Sequence, residues 1–103
     1  MNTALHGIRL IDMSRVFAAP VGAQILGDLG ADVIKVERSG TGDDGRGYGT
    51  AWITVNHSKP EGQEIIRALV KEAAVLIENF KVGDLVRFGL DYDSLRAINP
   101  RLI

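Results

Sequence analysis

The hydrophobic pattern between residues 7 and 38 predicts a strand, a helix and a second strand. Two short apolar runs, at residues 8–11 and 33–36, have the length of buried strands. Between them, large apolar side chains recur at helical spacing: Val21, Ile25, Leu26 and Leu29. Two such strands must be parallel neighbours joined by a right-handed crossover, and ligands bind beyond the carboxyl ends of such strands. We therefore expect ligand-binding residues within 14–20 and 37–46.

The rest of the chain continues the alternation of helices and strands. The predicted elements are a helix from Pro60, a buried strand at 74–77, a short helix at 84–88 closed by Gly89, a helix through Ile98, and the start of a further strand at 101–103. The buried stripe of the first of these helices is predicted at Ile65, Ile66, Leu69, Val70 and Ala73. Because the last strand is cut off at its start, we expect a fragment or a shortened gene product.

The segment between the second strand and the second helix has a different character. Residues 39–50 contain five glycines in twelve positions, so we predict a flexible loop over 39–59, in which Ala51–Val55 form either a short strand or an apolar anchor. The glycines do not form a dinucleotide-binding fingerprint. That motif lies between the first strand and the first helix, where this chain has SRVFAAP and no glycine.

The polar residues at the predicted strand ends are the candidates for chemistry. We expect Asp12 to cap or brace the turn after the first strand. Glu37 stands where an acidic residue can bind a ribose, whereas Arg38 beside it favours an anionic group such as a phosphate, or is simply solvated. Arg38, Lys59 and Arg87 all fall near strand carboxyl ends or the helices that follow. Together they would suit a phosphorylated ligand.

Composition narrows the class of protein. The chain of 103 residues suffices for one domain. Its net charge of −1 does not indicate electrostatic binding to nucleic acid or to an anionic membrane. No apolar run approaches the ~20 residues that a membrane helix needs. The chain has no cysteine, and its N-terminus lacks the apolar core of a signal peptide, so we expect a cytoplasmic protein. His6 and His57 are isolated; we interpret both as surface or satisfied side chains and predict no metal site.

Four segments resemble the N-terminal part of the class III coenzyme A transferases, a family that includes formyl-CoA and carnitine-CoA transferases and α-methylacyl-CoA racemases. The opening LHGIRLID matches L-x-G-[IV]-[RK]-[VIL]-[LIV]-[DE], and LGDLGADVIKVER matches the most recognisable family signature. PEGQEIIRALVKEAAVLIENFKVG and FGLDYDSLRAINPRLI resemble two further segments. The resemblance covers nearly the whole chain. It implies a single α/β domain over residues 1–103, with a small Rossmann-like, mostly parallel sheet flanked by helices and truncated relative to the family.

The resemblance also implies a binding site for coenzyme A or an acyl-CoA at the strand ends. The matching positions are Arg15, Val16, Phe17, Ala18, Arg38, Lys59, Asn79, Phe80, Arg87 and Phe88. The first four would lie near the thioester, and Arg38 would contact the adenine nucleotide. Among the last four, Arg87 would contact a phosphate and the others would line the site. Lys59 would be the lysine of an N-x-x-K motif at residues 56–59.

Two departures from the family pattern limit what the chain can do. The family usually has a strand of the form R-S-[IV]-x-[LV]-D-[LM]-K between N-x-x-K and P-E-G. Here Lys59 runs directly into Pro60, so we expect one strand to be missing. In addition, the carboxylate that attacks acyl-CoA in the transferases, and the acid–base pair of the racemases, lie in a part of the family that residues 1–103 do not match.

We therefore predict a truncated relative of these transferases that retains binding of coenzyme A or another nucleotide, lacks the catalytic aspartate and is inactive alone. One alternative is a structural or interaction module that forms a homodimer through exposed strand edges and binds no ligand. Another is one half of a split transferase, completed by a separately encoded catalytic chain. The acyl substrate is not specified by these residues.

Overall fold

The computed structural model describes residues 4–14, 18–38 and 51–103, and of residues 18–21, 38, 51 and 52 the backbone alone. The elements, in chain order, are β1 (Arg9–Asp12), α1 (Ala18–Asp28), β2 (Asp32–Arg38), β3 (Ala51–Val55), α2 (Pro60–Val70), β4 (Val75–Ile77), a 3₁₀-helix (Val86–Phe88) and α3 (Tyr92–Ile98). The strand–helix–strand unit predicted for residues 7–38 is confirmed. The later helices and the strand at 74–77 are also confirmed to within a few residues.

The four described strands form one parallel sheet in the order β3-β2-β1-β4. The predicted α/β class with a parallel sheet is therefore confirmed. β1 is central, since its last residue, Asp12, lies in register beside Lys35 of β2 and Ile77 of β4. The Met13 N–H continues the β1–β4 pairing with a 2.8 Å hydrogen bond to the Ile77 carbonyl. The strand order reverses between β1 and β4, and the crevice outside such a reversal is where open α/β sheets bind ligands.

Helices cover both faces of the sheet, and each face has its own core. On one face, Leu10 and Val33 pack with Ala23 and Leu26 of α1. On the other face, a larger cluster includes residues from β1, β2, β3, α2 and α3: Ile11, Val36, Val55, Ile66, Val70 and Leu95. Burial on both faces explains why the two central strands have nearly continuous apolar runs in the sequence instead of an alternating pattern.

The buried face of α1 differs from the predicted one. Ala23 is fully buried, whereas Ile25 and Leu29 are 55% and 47% exposed. The helix lies close to the sheet on small residues, because a Cβ built on Gly27 would lie only 3.3 Å from Cγ2 of Val33. The spacing of the large apolar residues therefore did not identify the side of α1 that faces the sheet.

The buried stripe of α2 is mostly as predicted. Ile66 and Val70 are fully buried, but Ile65, which we expected in the stripe, is 47% exposed. Ala73 is buried as expected, although it lies beyond the last residue of the helix. None of the helices in the part of the chain that the structure describes is long and apolar enough to cross a membrane.

The loop predicted over residues 39–59 is shorter than expected. Ala51–Val55 form β3, which pairs in parallel with β2 over its whole length, so the strand alternative for these residues is correct. β3 ends before residues 56–59, and α2 follows Lys59 directly. The strand expected to be missing lies after Lys59 in the family pattern, so β3 is a different strand and does not contradict that expectation. Residues 39–50 of the predicted loop lie outside the described residues.

The further strand predicted at residues 101–103 has its first pairing contacts. The Ile103 N–H donates to the Ala74 carbonyl at 3.1 Å, and the Ile103 carbonyl accepts from the Leu76 N–H at 2.9 Å. These two bonds flank Val75 in the pattern of a parallel pair. Ile103 therefore lies against the outer edge of β4.

Candidate functional site

The carboxyl ends of the four parallel strands lie at one edge of the sheet, which we call the carboxyl edge. Of the predicted site residues, Arg38 ends β2 and pairs with Val55, and Ala18 is the first residue of α1. Lys59 follows β3, and Asn79 and Phe80 follow β4. Arg15, Val16 and Phe17 lie outside the described residues, between β1 and α1.

An aromatic cluster of His57, Phe80 and Phe88 joins three separate segments at this edge. The His57 ring lies 5.3 Å from the Phe80 ring and 5.3 Å from the Phe88 ring, edge-on to both. All three side chains are half-buried. The Arg87 guanidinium lies 4.7 Å from the centroid of the Phe88 ring. This geometry is an apolar wall with a cation over one of its rings.

The other predicted site residues near this cluster are exposed. Asn79 stands between Glu78 and Phe80, and the Glu78 carboxylate accepts a 3.2 Å hydrogen bond from the Phe80 N–H. Lys59 is exposed at the N-terminus of α2 and makes no side-chain capping bond there. Lys59 comes after β3 and directly before α2. Lys59 is a candidate by its position at the carboxyl edge.

Arg67 of α2 holds the Phe88 end of the aromatic cluster. Its Nη2 donates a 3.0 Å hydrogen bond to the Phe88 carbonyl, and its Nη1 bonds Glu64 at 2.6 Å. Gly89 closes the 3₁₀-helix with a φ of 69°, and a Cβ there would lie 2.9 Å from Arg67 Nη2. The left-handed backbone at this position favours glycine over a residue with a Cβ.

A buried polar cluster of Asp12, Ser14, Lys35 and Glu37 lies on the α1 side of the sheet, where β1 and β2 end. The exposed fraction of each of these residues is 2% or less. Asp12 Oδ1 accepts hydrogen bonds from the Ser14 hydroxyl and, at 2.8 Å, from the Ser14 N–H. Lys35 Nζ donates to the Ser14 carbonyl and lies 3.8 Å from Asp12 Oδ1. The expectation that Asp12 braces the turn after β1 is confirmed.

A cavity of about 260 Å³ lies beside the outer edge of β4. Phe80 lines it and also contacts His57, so the cavity borders the aromatic cluster. Its lining is mainly apolar, with Glu78, Lys81 and Asp91 as the charged members. Sites for drug-sized ligands run from roughly 300 to 1,000 Å³, so this cavity alone is too small for a nucleotide.

Sequence reasoning missed two features of this edge. His57 was interpreted as isolated, because its aromatic partners are distant in sequence and only the fold joins them. Lys35 was not singled out, although the sequence contains a signal for it. A lysine between apolar residues in a strand that is covered on both faces must be buried and paired.

Comparison with known proteins identifies the family of this chain. The chain matches CoA-transferase family III over residues 5–103. An acyl-CoA transferase of Fusarium pseudograminearum is 44% identical over 97% of this chain and 27% of its own length. The succinate–glutarate CoA-transferase of Agrobacterium fabrum is 43% identical over 96% of this chain and 30% of its own. A formyl-CoA:oxalate CoA-transferase of Rhodopseudomonas palustris is 39% identical over the whole chain and 28% of its own.

Solved structures agree with the sequence matches. A CAIB/BAIF family protein from Brucella suis has a TM-score of 0.90 at 44% identity and covers all of this chain and 32% of that one. The protein Rv3272 from Mycobacterium tuberculosis has a TM-score of 0.91 at 34% identity and covers 99% of this chain and 32% of that one. The chain thus spans about 30% of the length of the curated relatives it matches. With a family match over nearly all of its residues, the chain belongs to CoA-transferase family III.

Proposed function

We propose that this chain binds coenzyme A or an acyl-CoA across the carboxyl edge of its sheet. The observation that carries the proposal is the aromatic cluster, in which His57, Phe80 and Phe88 meet from three segments with a guanidinium over one ring. A half-buried apolar wall bordered by exposed cations suits a ligand that combines apolar groups with phosphates. The names of the relatives, which are acyl-CoA and CoA transferases, support this class of ligand.

The residues around the aromatic cluster have distinct roles in this proposal. Phe80 and Phe88 form the wall against which the ligand packs. Arg87 and Lys59, which are both exposed, contact its phosphates. Asn79 is also exposed, directly after β4, and its amide bonds polar groups of the ligand. These roles use only residues that follow β3 and β4.

The remaining residues enter the proposal through the family resemblance and their position in the sheet. Residues 15–18 follow β1, at the reversal of strand order, and we assign them to the thioester end of the ligand. Arg38 ends β2 and is assigned to the adenine nucleotide. Open α/β sheets bind nucleotides in this crevice, which supports both assignments.

We propose further that the 103 residues bind the ligand without transferring an acyl group on their own. The family's attacking carboxylate lies in a part that residues 1–103 do not match, and such a carboxylate is needed to form the covalent intermediate. The chain has no cysteine, which fits the reducing cytoplasm as its compartment. Binding without turnover is therefore the expected behaviour.

Isothermal titration with coenzyme A, acetyl-CoA and ADP tests the proposal. We expect binding of all three ligands. We expect Arg87→Ala to weaken coenzyme A binding by roughly fivefold to tenfold, because a charge-assisted contact is lost. Arg96→Ala removes the same charge from an exposed position on α3 outside the aromatic cluster and is the matched control. Absence of heat with every ligand at millimolar concentrations would overturn the proposal.

A second candidate function is self-association, and exposed apolar side chains favour it. Val82, Val86, Tyr92 and Ile103 are largely exposed, and all line the cavity beside β4. Contiguous apolar surface of this kind commonly marks an interface. We propose a second copy of this chain as the partner, giving a homodimer.

Sedimentation velocity at several protein concentrations tests the homodimer. Val82→Glu should shift the equilibrium to monomer, since it places a charge on the apolar surface. Gln24→Ala, exposed on α1, is the matched surface control. A wild-type chain that stays monomeric at all concentrations would exclude the dimer.

A further inference from the structure

Arg67 of α2 is an arginine whose side chain reaches a different element of the fold. Only 25% of the side chain is exposed. Its Nη2 donates a 3.0 Å hydrogen bond to the Phe88 carbonyl, 21 positions away in the sequence, and its Nη1 bonds Glu64 at 2.6 Å. The Glu64 side chain is 75% exposed, and such a surface ion pair contributes little to stability. The bond to Phe88 is therefore the one that links α2 to the 3₁₀-helix.

The 3₁₀-helix is a segment whose position needs such a link. Leu85 and Leu90, on either side of it, are 6% and 1% exposed, whereas Val86 and Arg87 between them are exposed. The segment thus stands out from the core between two buried leucines. A single 3₁₀ turn has poorer hydrogen-bond geometry than an α-helix, so its internal bonds hold it weakly. Contacts from neighbouring elements must therefore fix where it lies.

The Arg67 guanidinium lies directly against the backbone where the 3₁₀-helix ends. Phe88 is the last residue of this helix, and the carbonyls at the end of a helix lack a partner within it. A Cβ built on Gly89, the next residue, would lie 2.9 Å from Arg67 Nη2. An arginine suits this place because its planar guanidinium donates to two acceptors at once. Arg67 therefore fixes the end of the 3₁₀-helix against α2.

Two groups of the proposed ligand site are carried by the segment that Arg67 fixes. The Arg87 guanidinium lies 4.7 Å from the centroid of the Phe88 ring, and that ring lies 5.3 Å from the His57 ring. A shift of the 3₁₀-helix would displace the cation and the ring together. Binding groups must be held to within roughly 0.5 Å of their productive geometry, so such a shift should weaken binding.

We propose that Arg67 is a positioning residue, which holds the 3₁₀-helix so that Arg87 meets the phosphates of the ligand and Phe88 its apolar part. This inference rests on the proposed binding of coenzyme A at the carboxyl edge. Arg67 does not touch the ligand. It acts through the Phe88 carbonyl, and its charge is already used by that bond and by Glu64.

Arg67→Met tests the proposal. It removes the donor to the Phe88 carbonyl and keeps a long unbranched side chain, and Glu64 is exposed enough to remain hydrated. Arg67→Gln is the second variant, since its amide is too short to reach that carbonyl and its side chain favours a helix. Arg96→Met removes the same charge from an exposed position on α3 and is the matched control.

Three readouts separate positioning from folding. Circular dichroism and thermal unfolding report the fold, and isothermal titration reports affinity for coenzyme A. NMR without any ligand reports the aromatic cluster through the nuclear Overhauser effects between ring protons of His57 and Phe88 and between those of His57 and Phe80. In the wild type we expect both effects, because both pairs of rings are 5.3 Å apart.

For folded Arg67→Met and Arg67→Gln we expect coenzyme A affinity about fivefold weaker, close to the loss expected for Arg87→Ala. The effect between His57 and Phe88 should weaken, whereas the one between His57 and Phe80 should persist. Arg96→Met should match the wild type in both measurements. If Arg67 acts through Arg87, its replacement in the Arg87→Ala background should weaken affinity by twofold or less, because the two losses are coupled.

Three results would overturn the proposal. They are wild-type affinity in the folded Arg67 variants, the same fivefold loss in the Arg87→Ala background, and an unchanged Overhauser effect between His57 and Phe88. If the wild type binds no coenzyme A, the proposed function fails, and the Overhauser effect still decides whether Arg67 holds Phe88 in place.

Discussion

Gly62 has no room for a single added methyl group, so a substitution there should be costly. A Cβ built there would lie 2.0 Å from the Asn56 carbonyl oxygen, because α2 starts directly against the turn that follows β3. The obstructing atom belongs to the backbone and cannot rotate away. We expect Gly62→Ala to lower the free energy of unfolding by roughly 1–3 kcal/mol, as overpacking does. Urea denaturation measures the change.

Gly22 on α1 provides the matched control for this substitution. A Cβ built there meets nothing within 4 Å. Gly22→Ala should therefore stabilise the protein by roughly 0.5–1 kcal/mol, since alanine favours the helix over glycine. Equal effects of the two substitutions would contradict the packing of α2 against the turn at Asn56.

Asp91 gives a prediction about pH. The Ser94 hydroxyl donates a 2.5 Å hydrogen bond to Asp91 Oδ1 and lowers the pKa of this carboxyl below its ordinary value of 3.8. A lowered pKa in the folded state means that ionised Asp91 contributes stability above pH 3.8 and that the contribution is lost as the pH falls through the lowered value. Ser94→Ala should raise the pKa of Asp91, and NMR titration of its carboxyl carbon measures the change.

Two further variants make the pKa prediction specific. Ser94→Thr keeps a hydroxyl at the same position, so the pKa of Asp91 should stay lowered. Ser58→Ala removes a hydroxyl that bonds Asn56 instead, and it should leave the titration of Asp91 unchanged. A pKa of Asp91 that does not respond to Ser94→Ala would show that the hydroxyl is not the main cause of the shift.

Single residues of the site could be predicted only where their partners are close in sequence. Asp12 was expected to brace the turn after β1, and its bond to the Ser14 N–H joins residues two positions apart. His57 contacts Phe80, after β4, and Phe88, in the 3₁₀-helix, so no local pattern could reveal these contacts. The side chains of Arg38 and residues 15–18 keep their proposed roles through the family resemblance alone.

At the scale of elements, Asn99 couples the end of α3 to the end of α2. Its Nδ2 donates to the carbonyls of Val70 at 2.9 Å and Ala73 at 2.8 Å. The Val70 carbonyl, the last of α2, also accepts a 3.1 Å bond from the Ala73 N–H, whereas the carbonyl of buried Ala73, just beyond the helix, receives its donor from Asn99. Asn99→Ala should lower the free energy of unfolding by roughly 1–3 kcal/mol, because the Ala73 carbonyl loses this donor.

The same urea measurement on Gln24→Ala provides the comparison for Asn99. Gln24 is exposed on α1, and removing its amide should change stability by less than about 0.5 kcal/mol. If Asn99→Ala changed the free energy of unfolding as little as Gln24→Ala, water would be replacing the side-chain donor. The hydrogen bonds from Asn99 would then contribute little to stability.

The type of each element was predictable from periodicity, but the face it buries was less so. Spacing identified α1 and α2 because apolar residues recur at helical intervals in both. It failed for Ile25 and Ile65, which are exposed, because spacing does not distinguish a large residue from a small one that lets a helix approach closely. Ala23 and Gly27 decide the packing of α1, and both have too little side chain to contribute to a pattern of large apolar residues.

At the scale of the whole molecule, Leu102 closes the larger core. It is 3% exposed and belongs to the same cluster as Ile11, Val70 and Leu95. We expect Leu102→Ala to lower the free energy of unfolding by roughly 2–5 kcal/mol through cavity formation. Ile103→Ala, at a side chain that is 78% exposed, should cost less than about 0.5 kcal/mol. Similar costs for the two variants would contradict the place of Leu102 in the core.

The parallel sheet could be predicted from the sequence, since strands joined by helices must run the same way. The order β3-β2-β1-β4 was not predicted, because the position of β4 beside β1 depends on which edge of the sheet α2 crosses to. That order brings the end of β4, and with it Asn79 and Phe80, beside the end of β1. The family resemblance also predicts that Asn79 and Phe80 and the residues after β1 belong to one binding site.

The central position of β1 has a consequence for biosynthesis. Of the four described strands, β1 is translated first, yet one of its edges has no partner until Val75–Ile77 have been translated. During that interval the nascent chain exposes an unpaired edge next to apolar side chains, which is a template for aggregation. Slower translation of the codons between β3 and β4 should therefore lower the yield of folded protein, whereas slower translation after β4 should have less effect.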